Sequence, residues 1–286
     1  MGKKEVCILI TVFAIFLSLY SNEMGSTYST PIEGNLEVYF IDVGQGDSIL
    51  IRNNEESMLI DAGNNEDGIL LTNYFNELNI TNFKYLVGTH PHEDHIGGLD
   101  DIINNFNINN IYLPDVITTT KTFTDVIDAM ENKNIMYEVP EIGNKFYLGD
   151  ATIEVIYTGT DTNDLNNTSI VLRLDYGQTS FLFTGDATSK TENLILNKNI
   201  DVDVLKVGHH GSKYSSNDNF ISRTSPKYAI ISVGKNNSYN HPNNSTINKL
   251  IENNIQIHRT DKEGTILLTT DGININITNM ETNTNG

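Results

Sequence analysis

Four side chains able to hold a metal ion fall within six positions. They are His90, His92, Asp94 and His95, inside Thr89-His90-Pro91-His92-Glu93-Asp94-His95-Ile96-Gly97-Gly98. Neutral imidazole together with carboxylate suits Zn, Mn or Fe, and the one cysteine, Cys7, is far away in the chain. Asp186 follows Leu182-Phe183-Thr184-Gly185, where a carboxylate behind a strand end can bridge two metals; otherwise it caps the helix starting near Thr188. His209 and His210 stand side by side before Gly211-Ser212. On an extended segment, neighbouring side chains point to opposite sides, so one of this pair is expected to ligate. His241, before Pro242, follows a strand end and is a candidate for substrate contact or proton transfer. His258 reads as structural.

These groups need strands that end at them. Residues 83–88 read as a short buried strand running into the cluster, and 99–106 as a helix leaving it. Such a unit presents its loop at the C-terminal edge of a sheet. Further strands are expected over 36–43, 48–52, 58–61, 109–113, 146–148, 151–157, 169–176, 179–184, 202–207, 228–233 and 255–259. Helices are expected over 69–78, 123–130 and 245–252, the first with a core-facing stripe at 69, 70, 71, 74, 75 and 78. Asp271-Gly272 predicts a type I′ turn between strands 265–269 and 273–277. Gly44 and Gly46 permit a loop in which Gln45 and Asp47 face the cluster, unless Asp47 merely caps a turn.

The formal net charge is -19, which favours solubility and leaves no broad basic surface for nucleic acid. Lys3-Lys4 precede an apolar run over 6–20, the pattern of a secretory signal. As a helix that run spans roughly 22 Å, short of a hydrocarbon core of ~30 Å, although an uncleaved anchor is the alternative. The expected division is a signal or anchor over 1–21, a linker over 22–35 and a folded domain over 36–280. The expected location is secreted or held on the outer face of the cell membrane.

The pattern HxHxDH between a strand and Gly-Gly resembles the metallo-β-lactamase superfamily of dinuclear hydrolases. Phe40-Ile41-Asp42-Val43-Gly44-Gln45-Gly46-Asp47-Ser48, Leu59-Ile60-Asp61-Ala62-Gly63, Leu182-Phe183-Thr184-Gly185-Asp186, Leu205-Lys206-Val207-Gly208-His209-His210-Gly211-Ser212 and Asn240-His241-Pro242 narrow the likeness. Together they resemble the extracellular hydrolase domain of ComEC-type DNA-uptake channels and its stand-alone relatives, over about residues 36–278. The resemblance implies an α/β fold, a four-layer αββα sandwich with the site at one edge. It implies two divalent metal ions, Zn or Mn, on His90, His92, Asp94, His95, Asp186 and His210, with Asp61 supporting a ligand from beneath. Asp94, His209 and His241 would serve catalysis, and Gln45, Asp47, Asn167 and Ser212 would contact ligands or substrate.

The implied activity is phosphodiester hydrolysis by a metal-activated water, with DNA as substrate and competence as setting. A cell-surface phosphodiesterase for choline-phosphate or teichoic-acid groups is the alternative, and a non-catalytic metal-containing binding module is another. Apart from DNA or another phosphodiester, no obligate partner is expected, and the membrane is reached only through an N-terminal anchor. The chain departs from the superfamily at one point: no His lies between His95 and Asp186. Asn167 is expected in that place, and with its amide oxygen the site of His90 and His92 would be weaker, wetter, or filled by Mn rather than Zn. Lys206, Lys213, Lys227 and Lys235 are expected to form a local positive rim that offsets the acidic surface.

Overall fold

A computed structural model describes residues 35–280. The signal or anchor expected over 1–21, the linker as far as residue 34 and Cys7 lie outside the described residues. No helix among the described residues is long and apolar enough to cross a membrane.

Strands β1 (Leu36–Phe40), β2 (Ser48–Asn53) and β3 (Glu56–Ala62) form an antiparallel meander. Helix α1 (Asp67–Glu77) leads to β4 (Asn82–Val87), parallel to β3. Helices α2 (Glu93–Ile96) and α3 (Leu99–Asn105) lead to β5 (Asn107–Tyr112), and α4 (Lys121–Asn132) leads to β6 (Tyr137–Glu138), both parallel additions. The hairpins β7 (Lys145–Leu148) with β8 (Ala151–Tyr157), and β9 (Val171–Tyr176) with β10 (Thr179–Phe183), begin a second sheet. Alternating α5 (Ser189–Ile195), β11 (Val204–Lys206), α6 (Asp218–Thr224), β12 (Tyr228–Ile231), α7 (Asn244–Glu252) and β13 (Gln256–Arg259) extend it in parallel. After α8 (Thr260–Glu263) the chain returns to the first sheet, where β14 (Thr265–Thr270) pairs with β1 and β15 (Ile275–Met280) forms the edge. The eight-stranded sheet runs β15-β14-β1-β2-β3-β4-β5-β6, and the seven-stranded one β13-β12-β11-β10-β9-β8-β7.

The sheets meet over Phe40, Ile51, Val87, Leu172 and Phe183. A second core, with Leu50, Leu59, Phe75, Ile102 and Val126, lies between the first sheet and its helices. A third, with Leu205, Ala229, Phe220 and Leu250, does the same for the second sheet. This is the four-layer αββα sandwich. Each central strand is covered on both faces: Ile49 and Ile51 of β2 enter the inter-sheet core, and Leu50 enters the helix-side core. That is why such strands read as unbroken apolar runs. The loops that carry the His, Asp and Asn candidates follow the ends of β1, β4, β8, β10, β11 and β12, and Asp61 stands in the last residues of β3.

Two local expectations are corrected. The α1 stripe is narrower than the sequence suggests, because Ile69 and Leu70 are exposed (69% and 51%). Leu71 and Phe75 are the large side chains that bury, and Phe75 packs edge-on against Phe83 and Phe106. The last hairpin has a four-residue connection, not a type I′ turn, since Thr270 pairs with Ile275. Asp271 Oδ1 accepts hydrogen bonds from Ile273 N and Asn274 N, so a side-chain turn replaces the tight one.

Phe75→Ala is expected to lower unfolding stability by about 3–5 kcal/mol. Ile69→Ser on the same helix should change it by roughly 0.5 kcal/mol at most. Denaturant melts of both variants check the assignment of faces.

Candidate metal centre

At the end of β3, Asp61 has a left-handed backbone (φ 60), which a non-glycine residue keeps only when its surroundings hold it. Its carboxylate supplies the hold. Oδ1 accepts from Thr89 N at 2.7 Å, Oδ2 accepts from Thr89 Oγ1 at 2.7 Å, and His95 Nδ1 lies 2.8 Å from Oδ2. Burial raises the Asp61 pKa, and His95 pulls against it. With Nδ1 engaged, the buried Nε2 of His95 has no hydrogen-bond partner and stands 3.3 Å from Asp186 Oδ1. Burial opposes a proton on His95, yet Asp186, Asp61 and Asp94 together raise its pKa well above the ordinary value.

His90 Nε2 and His92 Nδ1 stand 3.0 Å apart. Burial drives the His90 pKa well below its ordinary value, and His95 adds to the effect. Its imidazole is therefore neutral near pH 7, the form a metal takes. The two Asp186 oxygens serve different neighbours. Oδ1 faces His95 Nε2 and His210 Nε2 at 3.3 and 3.5 Å, while Oδ2 faces His209 Nε2 and His90 Nε2 at 3.7 and 4.0 Å. Burial opposes ionisation of Asp186, but His210 and His95 outweigh it and hold the pKa well below the carboxylate range. Asp94 Oδ2 lies 3.3 Å from His210 Nε2.

The His209-His210 segment is not extended. Both residues have left-handed backbones (φ 51 and 52) within a 3-10 turn, so the expectation of opposite sides fails and both line one cavity. They still differ in bonding. His210 Nδ1 lies 2.9 Å from Ser232 O, which fixes the ring and leaves Nε2 buried without a partner. His209 keeps an unpartnered Nδ1, and its ring meets that of His241 edge-on at 5.5 Å. Gly46 brings the 44–48 loop onto the ligand loop: a Cβ there would lie 2.5 Å from Asp94 O, and Asp47 N donates to that same oxygen.

The cavity holds about 360 Å³ and is lined by Gln45, His92, Glu93, Asp94, Asn166, Asp186, His209, His210, Tyr239 and His241. Gln45 also accepts from Gly234 N through Oε1. Ser212 is buried, accepts from Tyr214 N through its hydroxyl, and does not line the cavity.

Asn167 does not face the cavity, and its neighbour Asn166 does. Asn167 Oδ1 accepts from Thr188 Oγ1 and Thr191 Oγ1, and Nδ2 donates to Asp164 and Asp161. That amide has no lone pair left for a metal. Asn166 lines the cavity, and its Oδ1 is buried without a partner. The 3-10 turn Leu165–Thr168 decides which of the two amides faces inward, and sequence spacing does not disclose its phase.

Lys206 is also corrected. It is fully buried, with Nζ 2.8 Å from Asp47 Oδ2 and donating to Val207 O, so it cannot belong to a surface rim. None of Lys213, Lys227 and Lys235 lines the cavity. Asp47 Oδ1 lies 3.5 Å from His210 Nδ1 and Oδ2 lies 3.8 Å from His95 Nδ1, so the Lys206 charge sits just beneath the donor set.

Sets of donors close enough to share one ion include His90, His95 and Asp186; Asp94, His95 and His210; and Asp47, Asp186 and His210. With the unpartnered Nε2 atoms of His95 and His210 and Oδ1 of Asp186, these nitrogen and oxygen donors fit divalent cations. His90, His92, Asp94, His95, Asp186 and His210 converge, and Asp61 and Asp47 lie beneath them. His209 and His241 occupy the cavity wall.

Asn166→His is expected to tighten binding of one metal equivalent, and Asn167→Ala to leave metal content unchanged while costing about 1–3 kcal/mol of stability. Metal titration and melting of both variants check this. Lys206→Met strands the buried Asp47 carboxylate and should cost about 3–5 kcal/mol, which Asp47→Asn in the same chain should largely restore.

Comparison with known proteins accords with this geometry. Residues 41–235 match the profile of the metallo-beta-lactamase superfamily. ComE operon protein 3 of Bacillus subtilis (strain 168) is 32% identical over 252 residues, covering 80% of this chain and 32% of that protein. Competence protein ComA of Neisseria gonorrhoeae is 28% identical over 253 residues, covering 82% and 32%. The chain thus spans about a third of the length of these curated relatives. Among solved structures, the metallo-beta-lactamase fold protein YhfI from Bacillus subtilis superposes with a TM-score of 0.58 at 11% identity, covering 83% of this chain and 100% of that one. With the superfamily profile spanning most of its folded part, the chain belongs to the metallo-beta-lactamase superfamily.

Proposed function

We propose that this metal-dependent hydrolase is an exported phosphodiesterase that cleaves DNA. The observation that carries the reading is Asp186, whose two oxygens face two separate sets of imidazoles at the floor of an open cavity. Divalent ions held by His90, His92, Asp94, His95, Asp186 and His210 would supply Lewis acidity, acidifying a water and offsetting charge on a phosphoryl group. The chain's own residues do the rest. Asp61 and the Ser232 carbonyl orient the rings of His95 and His210. His209 and His241 line the cavity, their rings meeting edge-on at 5.5 Å, and are the imidazoles there available for proton transfer. Burial lowers the His241 pKa and His209 adds to the effect, so His241 is neutral near pH 7 and suited to take a proton from the attacking water rather than to give one to the leaving oxygen. The name of one curated relative, competence protein ComA of Neisseria gonorrhoeae, supports a setting in competence and, with the likeness to DNA-uptake channels, DNA as the substrate. The Lys3-Lys4 pair and the apolar run after it support export.

The second reading, a surface phosphodiesterase for choline-phosphate or teichoic-acid groups, is favoured by one observation: no Lys or Arg lines the cavity.

The test is turnover of single-stranded DNA, duplex DNA and bis-p-nitrophenyl phosphate by the purified chain with Mn or Zn. Chelator is expected to abolish activity, and Asp186→Ala to lower kcat/KM by more than about 100-fold with the fold retained by circular dichroism. Full activity after chelation would overturn the metal-dependent reading. Turnover of the small diester without any DNA cleavage would transfer the assignment to the surface phosphodiesterase.

A further inference from the structure

We propose that the ring of Tyr239 is the platform on which a nucleobase beside the scissile phosphate stacks, so that the site takes unpaired rather than duplex nucleic acid. This rests on the nuclease reading above.

Tyr239 lines the same cavity as Asp186, His209 and His241, yet it is 66% exposed. Its loop is nevertheless cross-linked by the hydrogen bonds of one side chain. Asn237 Oδ1 accepts from Tyr239 N at 3.2 Å and from His241 N at 3.0 Å, while Nδ2 donates to Gly234 O at 3.0 Å and His241 O at 2.6 Å. The Tyr239 ring lies nearly parallel to that of His241, with centroids 6.0 Å apart and planes at 24°. An aromatic ring whose own backbone is tied down loses less freedom on binding than one on an untethered loop.

Charge shows why a ring is needed. The chain carries a formal charge of -19, and Glu93 and Asp94 line the cavity where no Lys or Arg does. A polyanion therefore gains little from the protein's own charges outside the donor set. Base stacking on an aromatic face does not depend on charge and tolerates any base. In a duplex both faces of each base are already covered, so only an unpaired or splayed base has a face to offer. A quaternary ammonium would instead call for several aromatic faces around it. Among the described residues, Tyr239 is the one Phe or Tyr in this lining.

The experiment uses the Mn-loaded chain and two single-stranded oligonucleotides of equal length, one fully base-bearing and one with abasic residues flanking the cleaved bond. The readout is the ratio of kcat/KM between them for wild type, Tyr239→Phe and Tyr239→Ala. Wild type is expected to favour the base-bearing strand by roughly tenfold and to cut duplex more slowly. Tyr239→Phe should keep the ratio, and Tyr239→Ala should bring it close to one, with the loss appearing in KM. A preference that survives in Tyr239→Ala, or a wild type that cuts both strands equally, overturns the assignment of Tyr239 alone. Turnover of bis-p-nitrophenyl phosphate with no cleavage of any oligonucleotide overturns the nuclease reading and this assignment together.

Discussion

The site depends on one buried carboxylate. Asp61 has no exposure to water, and its backbone sits where an ordinary side chain is unfavourable, at a cost of order 1–3 kcal/mol. Its bonds to Thr89 and His95 offset that cost and pin the end of β3 to the loop that follows β4. Thr89 O in turn accepts from Ile170 N, which ties the same loop to the second sheet. The orientation of His95 and the position of His90 beside Thr89 both follow from this one group, and so does part of the docking of the two sheets.

The charge arrangement has a second layer. Asp47, Asp61, Asp94 and Asp186 crowd around His95, and Lys206 is the nearest buried cation. Such an assembly is costly without compensation. The raised pKa of His95 and the depressed pKa of Asp186 are two sides of that compensation. Divalent cations would take over the same role more completely, because their charge exceeds that of any side chain.

Much of this was legible in the sequence because the chemistry is local. His90, His92, Asp94 and His95 come from one loop, and strand ends precede Asp61, Asp186 and His209 as the apolar runs suggest. The sandwich itself followed from family likeness, since strands buried on both faces hide the alternation that would reveal them. What stayed hidden depended on backbone angles. The left-handed turn at His209 and His210 turns both rings to one cavity, against the rule for extended chains. The phase of a single 3-10 turn exchanges Asn166 for Asn167. Lys206 looked like surface charge because nothing in its neighbourhood announces that Asp47, far away in sequence, lies against it. Helix α6 was missed because, of its seven residues, Phe220 and Ile221 are the large apolar ones and they stand side by side, which marks no helical stripe.

The donor set is divided between the two sheets. His90, His92, Asp94 and His95 follow β4 of one, whereas Asp186 and His210 follow β10 and β11 of the other. During synthesis the first loop emerges long before its partners, and alone it offers a cation only a partial grip. Tight capture of an ion by this donor set would therefore wait until the second half has folded and docked. An ion held by all six groups would then mark a chain whose two sheets have already docked.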